Sequence, residues 1–376
     1  MTIEQLINKA NEAYAKSDFD GAMGFLKEAG LQGSMNAALD YAYQLSSSKP
    51  KQAVQYLDSI PDSVRPIVHY HQLLIGYFGQ VHSSDSEVVE KLLQLAKQGV
   101  IEASITLLAY APIKSPEFEY VAKALQQKSP NIYQQLQINR FLSDGHTTLS
   151  ESEASDLLKA HFVSATRLDK KARNVIEDAM PIVVYEDVLS AFECHYLITK
   201  FSPMLVPSMV VDPITGKGRV DSVRTSYIAT IVPQVADWIT RKIDTTIATL
   251  TNTHVNQGEA LSLLRYEAGQ EYKPHYDALS VGQDAAIFQD GGQRIKTALV
   301  YLNTVEKGGC TVFPKLNLKV APVQGSMLVF PNTDEQEKTI LNSYHAGEKI
   351  IDKNKWLVTK WIRKCTTNYG RFIYGN

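Results

Sequence analysis

The chain has 376 residues, 44% hydrophobic and 21% charged; this composition excludes global disorder, collagen and coiled coil, and at about 100–200 residues per domain the length predicts two domains. Lys+Arg 38 against Asp+Glu 40 leaves a net charge of −2, without the basic excess of a dedicated nucleic-acid binder. Cys194, Cys310 and Cys365 are too few and too scattered for a disulfide framework or a zinc cluster. The N-terminus is polar and carries no apolar signal-peptide core, and no uncharged apolar run reaches the ~18–20 residues of a spanning helix. The expectation is a cytoplasmic protein with neither nucleic acid nor membrane as partner.

Residues 1–170 are rich in Ala, Leu, Gln, Lys and Ser, with apolar positions at helical spacing. A small-to-aliphatic pair four apart recurs at Ala22/Leu26, Ala53/Leu57, Val89/Leu93 and Val121/Leu125, in steps of 31, 36 and 32 residues. GSMNAAL (Gly33–Leu39) is echoed by GVIEASI (Gly99–Ile105). Such periods predict helix pairs, each burying one face on its neighbour. The pattern resembles the tetratricopeptide and Sel1-like classes without matching either consensus; an irregular helical domain is the alternative.

The charged segment His146–Met180 puts the boundary near 165–175, giving domains 1–170 and 171–376. Beyond it, short apolar runs at Pro181–Asp187, Ser208–Asp212, Thr225–Val232, Leu261–Glu267, Thr297–Asn303, Ser326–Pro331 and Lys355–Ile362 predict strands. Val235–Leu250 reads as a helix with Val235, Trp238, Ile239, Ile243 and Ile247 on one face. The fold class expected is α+β, an N-terminal all-α helical-repeat-like domain followed by a β-sandwich or jelly roll with supporting helices.

The chemistry concentrates in EYKPHYDAL (Glu271–Leu279). His275 and Asp277 are two apart, so on a strand both point to one face and can grip one cation. His345 is the one histidine C-terminal to His275. The other seven read as surface or capping residues: His69, His71, His82, His146 and His161 lie in or near the helical half, and His195 and His254 lack a partner at ligand spacing. Two imidazoles and a carboxylate leave three positions open on a six-coordinate metal, the facial triad of non-heme Fe(II) oxygenases; zinc could use the same ligands with water completing the site. Lys355, ten residues after His345, begins a strand whose alternation groups Lys355, Leu357, Thr359 and Trp361 on one face, with Trp356, Val358 and Lys360 on the other. A lysine on the first face is costly unless an anion meets it. A dicarboxylate bound to the metal at one end would bring that anion at its other end.

The ordered stretches LLRYEAGQEYKPHYDAL, GGQRIKTALVYLNTVEKGGCTVFP, APVQGSMLVFPN and SYHAGEKIIDKNKWLVTKWIRK resemble the catalytic domain of the prolyl 4-hydroxylase family, among the Fe(II)- and 2-oxoglutarate-dependent dioxygenases. ECHYLITKF and Pro207–Ser226 extend the similarity, which spans roughly residues 180–364. The resemblance implies a double-stranded β-helix with His275, Asp277 and His345 as iron ligands. It implies Lys355 on the distal carboxylate of 2-oxoglutarate, with Tyr266 and Thr297 hydrogen-bonding that co-substrate. Tyr272 and Trp361 would line the substrate pocket, and Arg224 and Ser226 would lie on a strand and loop closing over a peptide. O2 is the second co-substrate and ascorbate an auxiliary one. Many members carry histidine two after that tryptophan; here Arg363 brings a fixed charge to the pocket rim. Cys310 reads as a small buried residue rather than a ligand.

The function expected is hydroxylation of an unactivated C–H, a prolyl residue in a peptide or protein, with the helical half serving docking or homodimerisation. The alternatives are a hydroxylase of a free amino acid or small metabolite, and a helical-repeat scaffold with an inactive oxygenase fold. A zinc hydrolase is disfavoured because no neighbouring Glu is placed as general base.

Overall fold

The computed structural model describes residues 1–81, 84–144, 148–165, 173–177, 180–211, 218–219, 224–280 and 285–375; His82 and His146 lie outside these. The chain divides into two units, Met1–Thr166 with Arg371–Asn376, and Arg167–Gly370. Among the described residues, 371–375 thus group with the helical unit, whereas the sequence reading assigned them to the second domain. No local pattern in so short a tail announces which core it joins.

The first unit contains α1 (Ile3–Ala15), α2 (Phe19–Leu31), α3 (Met35–Ser46), α4 (Pro50–Asp58), α5 (Arg65–Phe78), α6 (Asp85–Lys97), α7 (Ile101–Tyr110), α8 (Pro116–Lys128), α9 (Pro130–Gln135) and α10 (Glu151–Ala165). The four recurrent pairs fall on alternate helices, α2, α4, α6 and α8, and all eight side chains are buried. The echoed glycines are helix stops. Gly33 and Gly99 follow α2 and α6 with φ of 101° and 92°, a conformation glycine adopts without strain. In each case the next residue's N–H reaches back five positions, Ser34 to Ala29 O and Val100 to Leu95 O, both at 3.0 Å, which satisfies a carbonyl the helix leaves open. Starts are marked as clearly: Ser34, Ser84 and Ser115 cap α3, α6 and α8 through their hydroxyls, and Pro50 and Pro66 occupy the first turns of α4 and α5.

The second unit contains α11 (Ala191–Phe201), α12 (Trp238–Thr251) and α13 (Ala285–Gln289), and α14 (Asn368–Tyr374) ends the chain. Its strands are β1 (Arg173–Glu177), β2 (Ile182–Tyr185), β3 (Val206–Pro207), β4 (Val210–Val211), β5 (Gly218–Arg219), β6 (Tyr227–Thr230), β7 (Ser262–Tyr266), β8 (Tyr272–His275), β9 (Arg294–Tyr301), β10 (Thr311–Phe313), β11 (Leu318–Val320), β12 (Met327–Pro331), β13 (His345–Gly347) and β14 (Lys355–Arg363). They form an eight-stranded sheet in the order β1-β2-β12-β9-β14-β7-β6-β3, a four-stranded sheet β11-β10-β13-β8, and the pair β4-β5. Every pairing is antiparallel. One buried cluster draws Leu264, Leu299, Leu328 and Leu357 from the larger sheet and Phe313 and Val320 from the smaller. The two sheets therefore share a core, each such side chain contributing about 1.5–3 kcal/mol.

α12 begins at Trp238, three residues later than its apolar spacing predicts. Pro233–Val235 forms a tight 3-10 turn, and Asp237 caps the helix by accepting from the Thr240 N–H at 2.9 Å. That carboxylate is held by Lys200 and Tyr196, both at 2.6 Å, so Val235 stays outside the helix. The run Ser208–Asp212 yields only the two-residue β4, and Asp212 lies outside the described residues. Among the described residues no helix is long and apolar enough to cross a membrane.

Candidate metal and co-substrate site

β8 ends at His275, and Asp277 stands just past it, so the pair is set by a strand end rather than by a continuous strand. β13 opens with His345, which lies directly opposite His275 in the antiparallel register. The two rings are 4.3 Å apart between centroids. Each histidine donates its Nδ1–H to a carbonyl two residues earlier, His275 to Lys273 O at 2.8 Å and His345 to Ser343 O at 2.9 Å. Those acceptors fix the tautomer and leave both Nε2 lone pairs free to ligate. Each Nε2 is 3.6 Å from a different oxygen of Asp277, and the three ligand atoms lie within 4.8 Å of one another.

Asp277 is oriented from behind. Thr297 Oγ1 donates to its Oδ2 at 2.7 Å, and Asn332 Nδ2 donates to Thr297 Oγ1 at 2.9 Å. Burial opposes ionisation of Asp277, but the His345 and His275 imidazoles and the Arg294 guanidinium hold its carboxyl well below the usual range. Burial, reinforced by His275, pushes His345 down to about 4, so at neutral pH it is in the neutral form that binds metals. Two imidazole nitrogens and one carboxylate, with the cavity in front of them, fit Fe(II).

The cavity that contains the three ligands also contains Lys355. Lys355 is only 3% exposed. Its Nζ donates to Gly309 O at 2.6 Å and lies 5.3 Å from the Tyr301 ring centroid. Among the described residues it has no carboxylate partner, and burial pushes it down to about 8. At neutral pH it is a buried ammonium awaiting an anion. Tyr266 is its cross-strand neighbour and lines the same cavity. Leu357, Thr359 and Trp361 follow Lys355 on that wall, while Lys360 points the other way into a buried pair with Asp244 at 2.6 Å. A site that offers a buried cation in the same cavity as a candidate metal triad suits a metal-chelating dicarboxylate; a water-only zinc site has no use for it.

Tyr272 and Arg224 complete the wall. The Tyr272 ring stacks on His275, with centroids 3.6 Å apart and planes at 19°. The Arg224 guanidinium lies 5.0 Å over Tyr272, and its Nε donates to Ser226 Oγ at 3.3 Å. Ser226 in turn exchanges a hydrogen bond with Ser208 at 2.8 Å. Among the described residues, Arg224 Nη2 and Trp361 Nε1 are buried donors without an acceptor.

Three residues stand elsewhere than the sequence suggested. Thr297 is not on the cavity wall; its hydroxyl is committed to Asp277, and the threonines that do line the cavity are Thr359 and Thr311, the latter bonded to Tyr301 OH at 2.7 Å. Thr311 lies in GGCTVFP, where a three-residue strand gives too little alternation to tell inside from outside. Ser226 props Arg224 rather than touching the cavity. Arg363 is not at the rim, because Glu259 draws its guanidinium inward beside Arg294. It is buried, donating to Gly292 O at 2.6 Å and to Glu259. Glu259 also takes both Arg294 bonds, at 2.7 and 2.9 Å, and Arg294 lies 4.0 Å over the Trp361 ring. Cys310 is half-buried, beside Glu348.

Residues 261–363 match the model of the 2OG-Fe(II) oxygenase superfamily. Among curated proteins the chain is similar to probable prolyl 4-hydroxylase 3 of Arabidopsis thaliana, 39% identical over 198 residues, covering 48% of this chain and 68% of the relative. It is also similar to prolyl 4-hydroxylase 5 of that plant, 36% identical over 199 residues, covering 48% and 67%. Among solved structures it is similar to the viral collagen prolyl hydroxylase of Paramecium bursaria Chlorella virus-1 in complex with 2OG. That likeness has 27% identity and a TM-score of 0.39, covering 48% of this chain and 95% of the other.

Proposed function

The chain belongs to the prolyl 4-hydroxylase family of 2OG-Fe(II) oxygenases, and from that membership we propose that its substrate is a prolyl residue of a peptide or protein. It is a 2-oxoglutarate-dependent dioxygenase that uses Fe(II) and O2. Bound Fe(II), with 2-oxoglutarate and O2, supplies the oxidising power to turn an aliphatic C–H into C–OH, with succinate and CO2 as co-products. His275, Asp277 and His345 hold the metal, Thr297 and Asn332 keep the carboxylate turned toward it, and Lys355 takes the distal carboxylate. Tyr266 and Thr311, beside Lys355 on the cavity wall, are hydroxyl donors available to the same group. Leu264, Leu299 and Leu357 make the wall apolar, which excludes water and strengthens the Lys355 interaction.

The observation that carries this reading is the pairing, in one cavity, of an intact ligand triad with a buried ammonium that, among the described residues, forms no ion pair with a carboxylate. A peptide is supported by the two orphaned donors, Arg224 Nη2 and Trp361 Nε1, because peptide carbonyls are the acceptors they lack. Tyr272 and Trp361 add flat apolar surface suited to a pyrrolidine ring. We read the two antiparallel sheets as the double-stranded β-helix of these enzymes. We read the alternating-helix unit as a repeat-like surface for docking the substrate protein or a second copy of the chain. Three free cysteines support work in a reducing, cytoplasmic setting.

The test is 2-oxoglutarate turnover by full-length protein with Fe(II) and prolyl peptides, with mass spectrometry for added oxygen. Asp277→Ala should abolish both signals. If a free amino acid or metabolite gains oxygen while peptides do not, the substrate reading falls and the oxygenase stands. If Asp277→Ala turns over normally, the ligand assignment falls.

A further inference from the structure

Glu348, three residues beyond His345, lines the cavity that contains Lys355. Its Oε1 accepts from Lys319 Nζ at 2.6 Å and its Oε2 from the Cys310 N–H at 3.3 Å. The backbone is tied at the same place, Glu348 N–H to Cys310 O at 2.9 Å. The carboxylate is thus fixed in position and, with the Lys319 hydrogen bond holding its pKa below the ordinary value, ionised at neutral pH. Its partner is mostly in water: the Lys319 side chain is 60% exposed and that of Glu348 29%. An ion pair so exposed is screened and only partly neutralised, so a residual negative field reaches the cavity. Lys355 lies within that field, which favours its charged form.

An anion arriving at Lys355 therefore meets an attractive ammonium and an opposing carboxylate at once. We propose that Glu348 is a specificity-determining residue for the co-substrate: its carboxylate opposes the distal carboxylate of 2-oxoglutarate and weakens binding below what Lys355 alone would give, and Lys319 relieves that opposition. The proposal rests on the oxygenase reading above. Neither residue is a metal ligand or an anchor, so the pair adjusts affinity without touching the reacting atoms. It makes occupancy of the enzyme responsive to 2-oxoglutarate concentration through an ion pair on the surface.

The test is anaerobic titration calorimetry on full-length Fe(II)-loaded protein at about pH 6.5, where Lys355 keeps its proton. Two probes are compared: 2-oxoglutarate, and 2-oxopentanoate, which keeps the metal-binding end and lacks the distal carboxylate. Glu348→Gln is expected to tighten 2-oxoglutarate about three- to tenfold, and Lys319→Met to weaken it by a similar factor. The double variant should behave like Glu348→Gln, since no charge is left to relieve. 2-Oxopentanoate should bind all four proteins alike. Glu348→Gln leaving 2-oxoglutarate unchanged or weaker overturns the proposal, as does an equal change for both probes, which would mark a distortion of the metal end. A wild type that binds neither probe removes the oxygenase reading itself, and this proposal with it.

Discussion

Replacing Lys355 by Met should stabilise the empty protein and destabilise the loaded one. Burial takes the Lys355 amine from 10.5 to about 8, and at 1.36 kcal/mol per decade that corresponds to about 3 kcal/mol. The sign follows from proton linkage. Below about pH 8 folded and unfolded chains both carry the proton, and the full cost of burying the ammonium is present. Between about 8 and 10.5 the folded chain gives up the proton first, so the cost is relieved as pH rises. Met fills the same channel without the charge but forfeits the bond to Gly309 O, worth about 1 kcal/mol. The net gain at neutral pH is about 1–2 kcal/mol, or roughly 2–8 °C in Tm for a domain of this size. With 2-oxoglutarate at a hundredfold excess over Kd the wild type gains about 2.7 kcal/mol, and the variant, lacking the anchor, gains little. Thermal unfolding of both metal-loaded proteins, with and without 2-oxoglutarate under anaerobic conditions, should therefore show the order of stability invert. A variant less stable in both states, or stabilised by 2-oxoglutarate as much as the wild type, would refute the reasoning.

Thr297→Val removes the donor to Asp277 Oδ2 and leaves the Asn332 amide without its acceptor; metal affinity should fall about 10–100-fold in a competition assay, and unchanged affinity would mean that Asp277 is oriented by other groups. The dissociation constant of 2-oxoglutarate should rise as pH increases through about 8, where Lys355 loses its proton. A binding profile flat across that range would contradict the assigned anchor.

The grouping of His275, Asp277, His345 and Lys355 in one cavity was legible because its constraints are short-range or set by chain order. His275 and Asp277 are two apart, His345 has no rival histidine downstream, and Lys355 opens a long alternating strand that the structure keeps in register through Trp361. Legibility fails where a partner distant in sequence decides what a side chain does. Arg363, expected at the rim, is a buried partner of Glu259, which lies 104 positions earlier in the chain. Thr297 was assigned by likeness to the co-substrate, yet the decisive fact, that its hydroxyl meets Asp277, depends on a contact twenty residues away in sequence. Thr311 and Glu348 were missed because β10 and β13 are three residues long, too short for a periodic signal. In the helical unit, the recurrent pairs and repeated glycines were visible because a helix stop is a local event, written in one residue with positive φ.

His275 and His345 face each other across β8 and β13 although seventy positions separate them. Bringing such distant points together costs loop-closure entropy of about 4 kcal/mol, and the strands concerned have only three or four residues. Strands so short hold together weakly by themselves. A cation shared by the two rings is therefore also a rivet through the smaller sheet. Chelation should loosen that sheet as well as silence the chemistry, since uptake of the ion and consolidation of the strands form a single equilibrium.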